Sequence, residues 1–247
     1  DSASPNQTIS LNDIGLRYIH GIQRMSDLMV FSWAGARTVS EQGYDELFKS
    51  IPGLPSTDFR TPFEGIREET ESWWLRHSLN ELLGLTVHFL EEVRKLSGLV
   101  TFNAARTRGD ANLATLAAEL NTPMTNQGIP ERFNHLKERF GVCSPLEEAV
   151  VSFTTLAPVL LQHNSVVPKG KTVTLKTKRL TPPGEGEAKG RMSDFERTWK
   201  EGEKITLTRA EHASLFTTVS LLIGSLLTSI QEYAKKSGLP DAPAAAQ

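Results

Sequence analysis

The sequence predicts a mainly α fold, a helical bundle with a small β-hairpin inserted before the last long helix. Two observations carry this prediction. Over most of the 247 residues, apolar side chains recur every three or four positions, between residues that start and stop helices. Between residues 169 and 207 the pattern changes to a period of two, which is typical of strands.

The first half of the chain, residues 1–125, is expected to form the N-terminal helices. Ser10 or Asn12 can cap the first one, because a short polar side chain accepts a hydrogen bond from a free backbone N–H there. Pro62 suits the start of a long helix, and Ser97-Gly98 is expected to end it. The expected helices cover residues 10–36, 40–50, 58–97 and 111–120.

Two helices marked by proline follow. Pro130 opens a helix over 131–140, and Ser144-Pro145 has the pattern of an N-cap followed by proline in the first turn. The second helix is expected to run to about residue 162. Pro158 either kinks it or marks its last turn, because proline removes an amide donor and clashes with the preceding turn.

The β-hairpin is predicted from residues 169–207. Val173 and Leu175 alternate with polar neighbours, as in a strand with one buried face. The proline- and glycine-rich stretch after it predicts a flexible loop. The expected order is a strand around 172–178, a loop over 182–190, a short helix over 192–199 and a second strand over 204–207 that pairs with the first.

The last helix is expected from Thr208 to Lys236. Thr208-Arg-Ala-Glu211 is the pattern of a capping box, in which the hydroxyl and the carboxylate each satisfy a free backbone N–H. Ser220, Gly224 and Ser225 would let another helix approach closely. Residues 1–240 are therefore predicted to form a single helical domain, with a disordered tail at 241–247.

Composition excludes several classes of protein. Hydrophobic residues make up 38% and charged residues 23%, with a net charge of −2, which argues against wholesale binding to nucleic acid. Cys143 is the single cysteine, so no internal disulfide and no thiolate zinc cluster is expected. The apolar stretch 215–230 is short and interrupted by polar residues. A cytoplasmic protein with no membrane contact is expected.

A local basic segment remains a candidate nucleic-acid site. Residues 169–207 contain ten Lys or Arg against six Asp or Glu. Cations on a hairpin can contact phosphates, so RNA is a possible partner of residues 169–204. The candidate binding residues are Lys169, Lys171, Lys176, Lys178 and Arg179.

Motifs for metals and cofactors are absent from the sequence. No His-Glu-x-x-His pair, phosphate-binding loop, dinucleotide fingerprint or Gly-x-Ser-x-Gly elbow occurs. Glu81, His88 and Glu92 share one side of a predicted helix, but a di-metal bundle site needs matching residues on a second helix. We therefore expect no metal and no cofactor.

The segment Leu156–Val167 holds the main catalytic candidate. His163-Asn164 forms a polar pair at the end of an apolar run. Such a pair can be a helix stop, with the imidazole at the negative end of the helix dipole and Asn164 in the left-handed conformation. It can also be a catalytic or a former catalytic site.

The order of elements over residues 130–236 resembles the HEPN superfamily of small helical domains. The resemblance rests on a helix ending in His163-Asn164, a short β-containing segment, the step Gly202–Leu207 and a long apolar last helix. Many members are RNases of defence or toxin systems, which usually dimerise. Their motif is an arginine followed four to six residues later by a histidine, and the resemblance implies that His163 falls at its end.

The chain departs from this motif at the arginine. Ala157, Pro158 and Val159 stand four to six residues before His163. No Arg or Lys occurs anywhere between residues 140 and 168. In the family, the arginine neutralises the scissile phosphate while the histidine helps a ribose 2′-hydroxyl attack it. The resemblance therefore implies a member that keeps the fold and lacks the catalytic arginine.

Three functions stay open from the sequence. The leading one is a non-catalytic HEPN-like binding or dimerisation module, with a second copy or another protein as partner. The resemblance implies a defence or toxin–antitoxin type of system as its setting. The second is a metal-independent endoribonuclease that uses His163, assisted by Lys169, Lys171 or Arg179. The third is nucleic-acid binding without cleavage through the basic segment.

Overall fold

The computed structural model describes residues 10–52, 62–163, 165–181 and 191–238. Within these ranges the chain forms seven helices and one antiparallel hairpin, which confirms the predicted mainly α class and the hairpin before the last helix. The elements are α1 (Leu11–Thr38), α2 (Glu41–Ser50), α3 (Phe63–Arg108), α4 (Leu113–Asn121), α5 (Ile129–Phe140), α6 (Glu147–Gln162), β1 (Val173–Thr181), β2 (Arg191–Trp199) and α7 (Arg209–Lys236).

Side-chain caps set the predicted starts of two helices. The Ser10 hydroxyl accepts a hydrogen bond from the backbone N–H of Asp13 at 3.2 Å, which begins α1. At α7 the Thr208 hydroxyl accepts from the N–H of Glu211, and the Glu211 carboxylate accepts from the N–H of Thr208. Both halves of the predicted capping box are present.

The predicted stop of α3 at Ser97-Gly98 is wrong, because the helix continues to Arg108 and is 46 residues long. It ends where Gly109 takes a φ of 76°, a left-handed conformation that favours glycine. Gly98 has a different role. A Cβ at that position would lie 2.6 Å from Cδ2 of Leu120, so the glycine allows α4 to pack closely on α3.

The start of α6 also differs from the prediction. The helix begins at Glu147 with Leu146 as its N-cap, and not at Ser144. The Ser144 hydroxyl instead accepts from the N–H of Leu146 and contacts the hydroxyl of Ser225 on α7. Pro158 lies inside α6, which continues for one more turn.

The hairpin pairs a different segment from the one predicted. Residues 192–199, expected as a short helix, belong to strand β2. β2 pairs with β1 so that Trp199 lies opposite Val173. Residues 204–207 do not form the second strand, and Lys204 makes a single bridge to Val166. Along β2, the less exposed Phe195, Arg197 and Trp199 alternate with more exposed neighbours. This period of two is typical of a strand, and it decides the structure of the segment although the segment also contains helix-forming residues. The predicted loop at 182–190 lies outside the described residues.

The core surrounds α3, which packs against α1, α4, α5, α6 and α7. α6 and α7 also pack on β1. Burying one large aliphatic side chain contributes roughly 1.5–3 kcal/mol, so this shared core is the main source of stability. The largest fully buried side chains include Leu79, Phe89, Leu136, Phe153, Leu175, Leu215 and Leu226.

α7 is the one described helix that is long and apolar enough to cross a membrane by length and composition. Half of that segment is buried against the rest of the chain. Core helices of soluble proteins have the same composition, so this feature fits its position beside α3 and β1.

Candidate functional site

His163 lies at the C-terminal cap of α6, with φ −111° and ψ 27°, and its side chain is exposed. Its backbone N–H donates to the carbonyl of Val159 at 3.3 Å, and its carbonyl accepts from the N–H of Val166 at 2.9 Å. Both backbone groups of His163 therefore help to end the helix, and this role is independent of the imidazole.

The left-handed residue of this helix end is Ser165, which has a φ of 63°. Its N–H donates to the carbonyl of Val159 at 3.1 Å, and its carbonyl accepts from the N–H of Ile205 at 2.6 Å. Asn164, predicted for the left-handed position, lies outside the described residues. The turn thus ends α6 and joins the chain to the strand-like segment before α7.

The structure separates most of the basic candidates from His163. Lys176 contacts Glu148 at the beginning of α6, and its N–H donates to the hydroxyl of Ser152 at 2.9 Å. From residue 148 to His163 a helix rises by about 22 Å. Lys169 and Lys171 lie in the exposed turn after Val167, at the same end of α6 as His163.

The basic side chains of the hairpin are largely engaged with neighbours. Lys176 contacts Glu148, which raises the pKa of the lysine through a hydrogen bond and the nearby negative charge. Lys178 forms an ion pair with Asp194. The guanidinium of Arg179 lies 5.1 Å from the centre of the Phe195 ring. Two of the five candidate cations are therefore paired with carboxylates, and a third lies against an aromatic ring.

A buried charge network that the sequence did not reveal lies between α3 and α5. Nε and Nη2 of Arg94 donate to Oε1 of Glu91 at 2.9 and 2.7 Å. Nη1 of Arg132 lies 3.3 Å from Oε2 of the same carboxylate. The side chains of Arg94, Arg132 and Glu91 are only 6%, 9% and 17% exposed. Two guanidinium groups thus share one carboxylate in a dry environment.

The same arginines hold the connection between α4 and α5. The pKa of Glu91 would rise through burial alone, but hydrogen bonds from Arg94 and the N–H of Met124, with the charge of Arg132, hold it below its usual value. The carboxylate is therefore ionised at neutral pH. Arg94 donates to the backbone carbonyls of Glu119 and Leu120. Arg132 donates to the backbone carbonyls of Met124 and Gln127.

A second buried polar pair joins α3 to α7. Nε2 of His212 lies 2.7 Å from the hydroxyl of Ser78, and the hydroxyl lies 3.1 Å from the carbonyl of Leu75. Because the hydroxyl donates to that carbonyl, Nε2–H donates to the hydroxyl. Nδ1 is buried and has no partner among the residues described. Burial lowers the pKa of His212 to about 4.

α1 and α7 lie side by side in opposite directions. A Cβ on Gly15 would lie 2.7 Å from Cδ1 of Leu227, and at the other end Arg209 lies over Trp33 at 5.0 Å. Both helices also contact α3. Each residue of a helix is rotated by 100° from the one before it, so the side on which a position lies can be calculated. On α1 and on α7, the positions that lie next to the contact between the two helices and on the side away from α3 form one outer surface.

We call this surface the α1–α7 face. It extends for about 27 Å along α1 and about 32 Å along α7. None of its members carries a charge, and the exposed Asp27 at its edge accepts a hydrogen bond from Nε2 of Gln23 at 2.8 Å. Val30 is 57%, Leu16 42% and Leu221 38% exposed, and Gly224 has open space around its Cα. The members are Asn12, Leu16, Ile19, Gln23 and Val30 of α1, and Ala210, Ala213, Thr217, Leu221, Gly224, Thr228 and Gln231 of α7.

In the described part of the chain, no group of three or more His, Cys, Asp or Glu side chains is placed to hold a metal ion. Comparison of the whole chain with protein-family models, with curated proteins and with solved structures finds no match.

Proposed function

We propose that this chain is a non-catalytic, HEPN-like helical module that binds a second copy of itself through the α1–α7 face. The observation that carries this proposal is the lack of charge over two neighbouring exposed helical surfaces. The solvent side of a helix normally carries charged residues. Between Ala213 and Gln231, α7 has none.

A second copy is the partner that suits this face best. In a twofold dimer each surface meets its own copy, so a charge close to the axis would lie near the same charge. The α1–α7 face avoids that repulsion. Two antiparallel helices from each copy would form a four-helix packing, with Leu16, Val30 and Leu221 as apolar anchors and Gly224 allowing close approach.

The position of His163 supports a module without catalysis. Its backbone ends α6, and in the described residues no hydrogen bond or ion pair joins its imidazole to a cation. RNA cleavage by the motif of the HEPN family needs a positive group at the scissile phosphate beside the histidine. The chain lacks the arginine of that motif, and in the described residues no hydrogen bond or ion pair joins His163 to Lys169 or Lys171, which lie at the same end of α6.

We expect Leu221→Glu to convert a dimer into a monomer of 27.3 kDa. The substitution places a carboxylate from each copy in an uncharged, apolar contact, and burying a charge without a partner costs several kcal/mol. The dissociation constant should rise about a hundredfold or more. Light scattering after gel filtration, over a range of protein concentrations, measures the mass.

Leu161→Glu is the matched control. Leu161 is 44% exposed on α6, outside the α1–α7 face, so its variant should stay dimeric. Circular dichroism shows whether both variants keep their helices. A wild-type protein that is monomeric at high concentration, or two variants with equal masses, would contradict self-association through this face.

We also expect no ribonuclease activity that depends on His163. Purified wild-type protein and His163→Ala should leave single-stranded RNA equally intact, because no arginine stands four to six residues before His163. Gel analysis of a labelled RNA over several hours measures cleavage. Cleavage by the wild type that disappears in the variant would overturn the non-catalytic part of the proposal.

A further inference from the structure

A cleft of about 370 Å³ lies where α4 and α5 stand beside each other on α3. This volume falls in the range of sites for small molecules. Leu116, Leu120, Met124 and Phe140 supply much of its apolar lining. The close packing allowed by Gly98 sets the wall formed by α4.

The walls of this cleft carry more positive than negative charge. Arg94 lines the cleft and shares the single carboxylate of Glu91 with Arg132, which leaves one positive charge without a counterion in the network. At the mouth, Arg139 of α5 and Glu119 of α4 balance each other. An uncompensated charge on a largely buried side chain is costly, so a bound anion would be favoured there.

The mouth holds a cation that a ligand can reach. Nη2 of Arg139 lies 2.7 Å from Oε2 of Glu119, and both side chains are about half exposed. Exposed ion pairs of this kind contribute little stability. A carboxylate entering the cleft can therefore replace Glu119 as the partner of Arg139 at small cost, with the two-pronged geometry that arginine favours.

The imidazole of His135 adds a neutral polar group to the same site. It lies on α5, half-buried, with its ring 5.9 Å from the centre of Phe140. Burial, followed by the positive charges of Arg94 and Arg139, lowers its pKa. At neutral pH the ring is uncharged and can either donate or accept a hydrogen bond.

We propose that the cleft between α4 and α5 binds a small, mostly apolar monocarboxylate. The carboxylate pairs with Arg139 at the mouth, near the excess positive charge of the Arg94–Glu91–Arg132 network. The apolar part lies against Leu116, Leu120 and Phe140.

Calorimetric titration of the whole chain with octanoate tests this proposal, with 1-octanol and octylammonium as matched probes of the same chain length. Octanoate should bind at one site, about tenfold or more tightly than 1-octanol, because an arginine–carboxylate hydrogen bond adds to the apolar contact. Octylammonium should bind more weakly still. Equal affinity for the three probes, or no saturable binding of octanoate, would overturn the proposal.

Three variants locate the site. Arg139→Gln should weaken octanoate binding about tenfold, whereas Glu119→Gln should strengthen it, since the competing carboxylate is gone. Ala118→Phe, at an exposed lining position of α4, should block the cleft for octanoate without changing any charge. Arg24→Gln, at an exposed position of α1, is the control for a general loss of positive charge. Unchanged affinity in all of the first three variants would place octanoate elsewhere and refute the assignment.

Discussion

Glu91→Gln is expected to lower the free energy of unfolding by about 3 kcal/mol or more, near the lower end of the range for breaking a buried ion pair. The substitution keeps the shape of the side chain but removes its charge. Arg94 and Arg132 then stay buried without a counterion. Gln can still accept one hydrogen bond, which is why the upper end of the range is not expected.

Urea denaturation of the wild type and the variant measures this loss. Glu92→Gln is the matched control, because Glu92 follows Glu91 directly but pairs at 3.8 Å with the half-exposed Lys95. Its effect should stay below about 1 kcal/mol. If the two variants lose the same free energy, the network contributes no more than a surface ion pair.

Acid is expected to destabilise the protein through His212. Its pKa is about 4 in the folded chain and about 6.5 in the unfolded chain. Between these values only the unfolded chain takes up the proton, so stability is full above pH 6.5 and falls as the pH is lowered toward 4. The slope for one proton is about 1.4 kcal/mol per pH unit, which gives a loss of about 3 kcal/mol over the whole interval.

The structure gives the reason for this shift. The second proton would have to sit on Nδ1, which has no partner in the described structure and lies in the core close to Phe216, at 5.0 Å between ring centres. An unpaired cation in such a place is strongly disfavoured.

The measurement is the free energy of unfolding at several pH values between 7 and 4. His212→Gln should remove about 1.4 kcal/mol per pH unit from the slope, because the amide can bond to Ser78 without titrating. His20→Gln, at an exposed position of α1, is the control for removing an imidazole without touching the Ser78–His212 pair. A slope that is equal in wild type and His212→Gln would show that His212 titrates normally.

Much of the fold could be predicted because its signals are local. Ser10 and the Thr208 capping box act within one helical turn, so their residues are close in sequence. The role of Gly98 could not be predicted, because it is not set by its neighbours in sequence. A glycine after serine is typical of a helix end, but here its role depends on Leu120, a residue of another helix. No local pattern distinguishes the two cases.

The candidate sites were harder to predict than the helices, because their side chains interact with residues that are far away in sequence. Glu91 and Arg94 are three residues apart and form a common helical pair, but Arg132 is 41 residues from Glu91. The pairing of Ser78 with His212 spans 134 residues. The small residues of α7 were expected to let another helix approach, but Ser225 contacts Ser144 of the loop before α6, and only Gly224 lies on the outer side.

The unbroken length of α3 has a consequence for the two proposed surfaces. Phe89 of this helix meets Tyr18 of α1, and Arg94, little more than one turn later, lines the cleft beside α4. Inserting a single residue between them would rotate one end against the other by 100° and move it by about 1.5 Å. The relative orientation of the α1–α7 face and the cleft therefore depends on the number of α3 residues between positions 89 and 94. An insertion or deletion in this stretch would misalign the two surfaces.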